Sequence, residues 1–205
     1  AAGLASASIA DLRITEAYIG ISGEDGTNDW IELTNTGGTD VDLAGLFYDD
    51  GSSPSSANGG TLKGRLLGAG DSIIVIVDAD PVDQAQAVAD FAAVWGSNIR
   101  AIATDGGGFS QNGDFAAIVD ASDNIITQVT TPGLPGDTFS TIDYDFAGNP
   151  SLSALGVNGA FESNAFFDDD APGVAITLLG SPVPAPAAAG LLGLAGLTAA
   201  RRRRA

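Results

Sequence analysis

Hydrophobic and polar positions along residues 11–180 alternate in short runs broken by turns, the signature of strands with one face on a core. In 11–21, Leu12, Ile14 and Tyr18 share one parity, which predicts that they face the same way. Ile31 and Leu33 alternate with Trp30, Glu32 and Thr34, and Val41 and Leu43 continue the theme in 41–48. The run 72–77, Ser-Ile-Ile-Val-Ile-Val, is continuously apolar and β-branched after Ser72, which predicts a strand covered on both faces. Further strands are expected at 98–104, 114–120, 124–130, 141–146 and 173–179. Between them stand Asp50-Gly51, Asn58-Gly59-Gly60, Asp105-Gly106-Gly107, Asn112-Gly113, Asn158-Gly159 and Pro172-Gly173, all turn formers.

One stretch carries helical spacing. From Asp80-Pro81, read as a cap followed by a first-turn proline, Val82, Ala85, Val88 or Ala89, and Ala92 recur along one stripe up to Gly96. Eight or nine short strands with one inserted helix predict an all-β sandwich over 11–180.

Both ends differ from this body. Residues 1–10, Ala-Ala-Gly-Leu-Ala-Ser-Ala-Ser-Ile-Ala, read as the remnant of a secretory signal or as a small-residue leader. Residues 181–186, Ser-Pro-Val-Pro-Ala-Pro, make a proline-rich hinge. Residues 187–200 are uncharged Ala, Gly, Leu and Thr, and 201–205 are four arginines and an alanine. As a helix the fourteen residues would extend roughly 21 Å, short of a ~30 Å hydrocarbon core. The arginines would hold that end in the cytoplasm with the body across the membrane. Such a span suits transient anchoring better than permanent residence.

Composition narrows the chemistry. The 205 residues include no His, Cys or Met, so imidazole bases, thiolate nucleophiles, disulfides and soft-metal sites are all absent. A metal site would need oxygen ligands, which favours calcium or magnesium. With 26 acidic and 8 basic residues the net charge is −18. Four of the basic residues are Arg201–Arg204, so the first 200 residues hold 26 acids against Arg13, Lys63, Arg65 and Arg100, a body of −22. That charge opposes nucleic acid, which is bound by neutralising phosphate.

The C-terminal segment Val183-Pro184-Ala185-Pro186-Ala187, an apolar stretch and Arg201, Arg202, Arg203 and Arg204 together resemble the PEP-CTERM class of sorting signals, especially its Val-Pro-Leu-Pro-Ala variant. Ala185 stands where that class has Glu or Leu. The resemblance implies recognition by an exosortase-type protease of the inner membrane, a cut near 183–187, and transfer to the outer surface of a Gram-negative bacterium alongside exopolysaccharide. A plain C-terminal anchor is the simpler alternative.

The body resembles the lamin-tail domain, an immunoglobulin-like β-sandwich. The likeness rests on Ile14-Thr15-Glu16, Asp29 to Asn35, Val41-x-Leu43-x-Gly45, Leu67 to Asp71, and Phe109 to Asp114 leading into 115–120, and it spans about 11–135. The helical insert near 81–95 and the stretch 136–170 depart from it. The resemblance implies a non-catalytic module for adhesion, display or accessory binding.

Of the acids, 22 are Asp and four are Glu. Calcium in loops between strands is one reading, with Asp78, Asp80 and Asp83 or Asp168, Asp169 and Asp170 as ligands; Asp49-Asp50 and Asp143-x-Asp145 are further candidates. Asp143-x-Asp145-x-x-Gly148 lacks the Glu that would complete a calcium loop, since Ala154 occupies that position. The competing reading is that Asp caps turns and keeps the protein soluble. Glu16 and Glu32 could be imagined as a glycosidase pair, but glutamate on an outward strand face is the simpler account, and Trp30 and Trp95 read as core residues. The expectation is therefore a non-enzymatic exported surface or matrix protein. Two alternatives are a self-assembling filament subunit, pairing through exposed sheet edges or through 173–179, and, less favoured, a carboxylate-based polysaccharide hydrolase.

Overall fold

The computed structural model describes residues 8–20, 26–134, 138–167 and 173–182. In chain order the strands are β1 (Leu12–Tyr18), β2 (Trp30–Asn35), β3 (Val41–Asp42), β4 (Leu46–Asp49), β5 (Gly60–Thr61), β6 (Leu66–Leu67) and β7 (Ser72–Ile76). Helix α1 (Gln84–Trp95) follows, then β8 (Ala101–Ala103), β9 (Asp114–Asp120), β10 (Ile125–Thr131), β11 (Ile142–Tyr144) and β12 (Pro150–Leu152). Four two-residue strands close the order: β13 (Phe161–Glu162), β14 (Phe166–Phe167), β15 (Ala175–Ile176) and β16 (Leu179–Gly180). The alternating runs thus form an all-β, immunoglobulin-like sandwich with one inserted α-helix among the described residues.

Two sheets carry the architecture: a six-stranded one ordered β12-β11-β1-β2-β7-β8 and a four-stranded one ordered β10-β9-β4-β5. Leu12, Ile14, Ile31, Leu33, Ile73 and Val75 from the first meet Leu46, Tyr48, Ala116, Ile118 and Val129 from the second in the main core. A second apolar layer lies on the other face of the six-stranded sheet. There Tyr18, Trp30, Ile74 and Ile76 pack under α1 and under Ile176 and Leu178. The central sheet is therefore covered on both sides, which is why all five residues of β7 are buried. Its β7–β8 pair is parallel, with α1 in the connection between them.

Three expectations change in detail. The helix begins at Gln84, because Asp80 spends its carboxylate on the Val82 N–H in a tight turn (3.0 Å) and Asp83 becomes the flanking residue. Its buried face is Ala87, Phe91, Val94 and Trp95, while Val82 is 84% exposed. The aromatic rings bring more apolar area to the sheet than the alanine stripe would, so they set the rotation. The run 173–179 does not form one strand; it divides into β15 and β16.

The third change comes from a β-bulge in β1. Ile14 lies opposite Leu33 and Glu16 opposite Glu32, so Thr15 is an extra residue. The insertion reverses the facing of the residues after it: Leu12 and Ile14 point to the main core, as do Ala17 and Ile19, whereas Tyr18 points to the helix layer. Leu12, Ile14 and Tyr18 therefore share parity without sharing a face. Among the described residues no helix is long and apolar enough to cross a membrane, and the segment 187–200 with its expected apolar helix lies outside them.

Candidate functional site

The bulge places Glu16 in the middle of a row of acids. Its cross-strand partner on β2 is Glu32 and its partner on β11 is Asp143. Glu32 alternates with Ile31 and Leu33 of the main core, so the row lies on the face that also carries Trp30. Glu16, Glu32 and Asp143 are 1%, 3% and 7% exposed. The expectation of outward-facing glutamates is thus overturned. Both strands are interior to a sheet that is covered on both faces, which shuts these two glutamates off from water.

Hydroxyl and amide donors line the row. Glu16 Oε1 accepts from the Thr141 hydroxyl and from the Ser181 N–H (2.7 Å). Asp143 Oδ1 accepts from the hydroxyls of Ser153 (2.6 Å) and Ser181 (3.1 Å). Glu32 Oε1 accepts from Thr15 (2.6 Å), and Thr34 continues the chain to Ser72 (2.7 Å). Ser181 thereby ties the C-terminal end of the described chain to two carboxylates at once. Glu16 Oε2 is buried and has no hydrogen-bond partner. The one ion pair among the described residues, Arg100–Asp71 at 3.4 Å, is elsewhere.

Burial pushes the Glu16 carboxyl well above its ordinary range, and the negative charges of Glu32 and Asp143 add to that, against the opposing hydrogen bonds from Ser181 and Thr141. Like charges directly opposite each other on neighbouring strands repel, so the row is compatible with folding when Glu16 holds a proton. Chemically this is a closed row of buried acids held by hydroxyl and amide donors. The glycosidase pair imagined for Glu16 and Glu32 lies where a polysaccharide has no access in this conformation.

A second acidic group gathers at one end of the sandwich. The loop Gly106–Phe109 passes so close to Asp50, Asp29 and Asp78 that a Cβ on Gly107 would fall 2.4 Å from Asp50 Oδ2, and one on Gly108 3.1 Å from Asp29 Oδ2. Asp29 accepts from the Phe109 N–H (2.6 Å), and Asp114 from the Ser110 N–H (2.7 Å). Partial burial raises the Asp50 carboxyl, with Asp114, Asp49 and Asp78 adding repulsion. Beneath them the Tyr48 hydroxyl is buried without a partner, and burial followed by the Asp50 and Asp29 charges holds it protonated well above its usual range.

The residues expected for calcium are differently disposed. Asp78 takes a left-handed backbone (φ 53°), Asp80 caps its own turn, and Asp83 flanks α1 without capping it. Asp143 is buried in β11, whereas Asp145 accepts from the Ala147 and Asn149 N–H groups in the following turn, so the two do not share a loop. Among the described residues no group of three or more acids is arranged to hold a metal ion. Asp168, Asp169 and Asp170 lie outside the described residues, as do 183–187 and Arg201–Arg204. The turn-capping reading of aspartate is realised at Asp42, Asp49, Asp80, Asp120 and Asp145, each accepting from the backbone N–H two residues on. Trp30 and Trp95 are core residues, with ring centroids 5.7 Å apart and nearly perpendicular planes.

Sequence reasoning missed the acid row. Its signal was the change of parity in the apolar positions of β1, from 12 and 14 to 17 and 19, which marks a bulge at Thr15-Glu16. The contribution of Asp143 and Ser181 left no such trace, because it depends on β11 and on the C-terminal segment docking beside β1.

Comparison with known families supplies one match: the model of the lamin tail domain fits residues 5–133. It covers β1 to β10, α1 and both glutamates of the row. Asp143, Thr141, Ser153 and Ser181 are beyond it. No curated protein matches the chain.

Proposed function

The chain belongs to the lamin tail domain family, and from that premise we propose that it is an exported, non-enzymatic surface or matrix protein whose C-terminal tail is a sorting signal. The family's domain is a structural or surface module. The finer reading adds an exosortase-type protease that cuts near Val183–Ala187, a transient stay in the inner membrane, and a final place on the outer surface of a Gram-negative bacterium, in biofilm matrix with extracellular polysaccharide. The observation that carries it is the position of Ser181. That residue is hydrogen-bonded into the acid row and buried with Pro182, and the Val-Pro-Ala-Pro-Ala motif starts directly after Pro182, so a cut there leaves intact every contact made among the described residues. A body of −22 with four basic residues in its first 200 suits a hydrated, salt-exposed matrix.

Mass spectrometry of surface material from cells with and without the protease tests the reading. The expected mature chain ends between 183 and 187 and depends on the protease. Surface protein still ending in Arg204-Ala205 would overturn the processing.

A further inference from the structure

We propose that Asn158 is a self-modifying position: its side-chain amide is lost to the neighbouring backbone, and the carboxylate that replaces it stands beside the acid row. Asparagine followed by glycine is open to this reaction because no side chain shields the nitrogen of the second residue. The chain carries the pair three times, at Asn58-Gly59, Asn112-Gly113 and Asn158-Gly159, and the fold separates them. The Gly59 N–H donates to the Ser55 carbonyl (3.0 Å) and the Gly113 N–H to the Ser110 carbonyl (3.1 Å). Both glycines are half-buried. A Cβ on Gly59 would fall 2.7 Å from the Tyr48 carbonyl oxygen, and one on Gly113 3.1 Å from that of Thr131. The Gly159 N–H, by contrast, has no partner among the described residues. Asn158 and Gly159 are both exposed, and the space beside Gly159 where a Cβ would stand is empty.

The reaction needs no other group than water. In the turn closed by the Ala160 N–H on the Val157 carbonyl (2.8 Å), Asn158 and Gly159 both hold left-handed backbone, with φ 51° and 89°. That region is unfavourable for asparagine, so opening the turn for ring closure releases strain and does not add it. The Gly159 nitrogen gives up its proton and bonds to Asn158 Cγ; the Cγ–Nδ2 bond breaks, and the amide leaves as ammonia carrying that proton. Water then opens the five-membered imide at either carbonyl, restoring the Gly159 N–H and leaving aspartate or isoaspartate at 158. Position gives the change a consequence. Asn158 Nδ2 donates to Asp143 Oδ2 (3.5 Å), and Asp143 Oδ1 accepts from the hydroxyls of Ser153 and Ser181. A carboxylate at 158 is negative and only accepts, so the row loses a donor and gains a like charge, which loosens the tie to Ser181.

The test is incubation of the whole chain at neutral and mildly alkaline pH, with each Asn-Gly peptide followed by mass as NH2 is replaced by OH. Asn158 should convert about tenfold faster than Asn58 or Asn112, the factor that one hydrogen bond to be broken imposes on the tied glycines. In concentrated urea, where the fold no longer ties those two amides, the three rates should draw together. Asn158→Gln should keep its amide through the same incubation, because its ring closure is a longer one. Asn158→Asp should speed amide exchange at Ser153 and Ser181. If that variant fails to fold, the same exchange reading is taken on the wild-type chain before and after conversion. Conversion first at Asn58 or Asn112, an unchanged order of rates in urea, or conversion at Asn158 with the Ser153 and Ser181 amides unaffected would each overturn the proposal.

Discussion

Replacing Glu16 by Gln should stabilise this protein at neutral pH, although Glu16 is a completely buried residue with two hydrogen bonds. Gln has the same shape, and its carbonyl can go on accepting from Thr141 and the Ser181 N–H. Its NH2 takes the place of Oε2, which has no partner, and offers a donor where Glu32 and Asp143 contribute negative charge. Removing the charge that burial and the neighbouring acids penalise is worth about 1–3 kcal/mol at neutral pH, the order of a buried polar group's desolvation cost, and in a chain of this size each kcal/mol moves Tm by roughly 2–4 °C. The pH dependence carries the mechanism. Folding raises the Glu16 pKa, so the unfolded chain loses this proton near the ordinary value of 4.5 while the folded chain keeps it. The folded state then binds more protons, and stability falls as pH rises above that value, by at most about 1.36 kcal/mol per pH unit, until Glu16 ionises in the folded chain too. The gap between wild type and Glu16→Gln should therefore be small near pH 4.5 and widen toward neutrality, as read from urea midpoints across pH. A variant that is less stable than wild type at neutral pH, with a gap that does not change with pH, would refute the reasoning. So would a wild-type stability that rises with calcium and loses that response in the variant, because the row would then hold a cation and not a proton.

The same contacts set other expectations. Tyr48→Phe removes a hydroxyl that is buried without a partner, and should leave the urea midpoint unchanged or raise stability by up to about 1 kcal/mol. Trp30→Ala empties the centre of the helix layer, where Trp30 stacks on Tyr18 and meets Phe91 and Trp95 edge-on; a loss of about 3–5 kcal/mol is expected by denaturant titration. Gly60→Ala would set a methyl 2.2 Å from Thr104 Oγ1 and 2.3 Å from the Gly106 nitrogen, costing roughly 1–3 kcal/mol and speeding amide exchange in the Gly106–Phe109 loop. Asp145, held low by the Asn149 side chain and by backbone donors, contributes stability above the ordinary carboxylate range and loses it as pH falls through its lowered value. Asp145→Asn should therefore lower stability in the neutral region and flatten the acid limb, the two proteins converging below the lowered value, as read from urea midpoints across pH.

Local patterns sufficed for much of this protein. The continuous apolar run at 72–76, the alternation in 30–35, the glycine stop after Trp95 and the aspartate turns each arise from interactions within a few residues, and so could be read directly along the chain. The family likeness was legible for the same reason, since it lies in the order and spacing of those pieces over residues 5–133. Tertiary structure decided what local pattern could not. One extra residue at Thr15 turned Glu16 and Tyr18 to the other face. Docking of β11 against β1 added Asp143, and the return of the chain to Ser181 sealed the row. Whether a glutamate is a solvated surface group or a buried acid depends on what covers its strand, and here the cover comes from residues more than a hundred positions away in the chain.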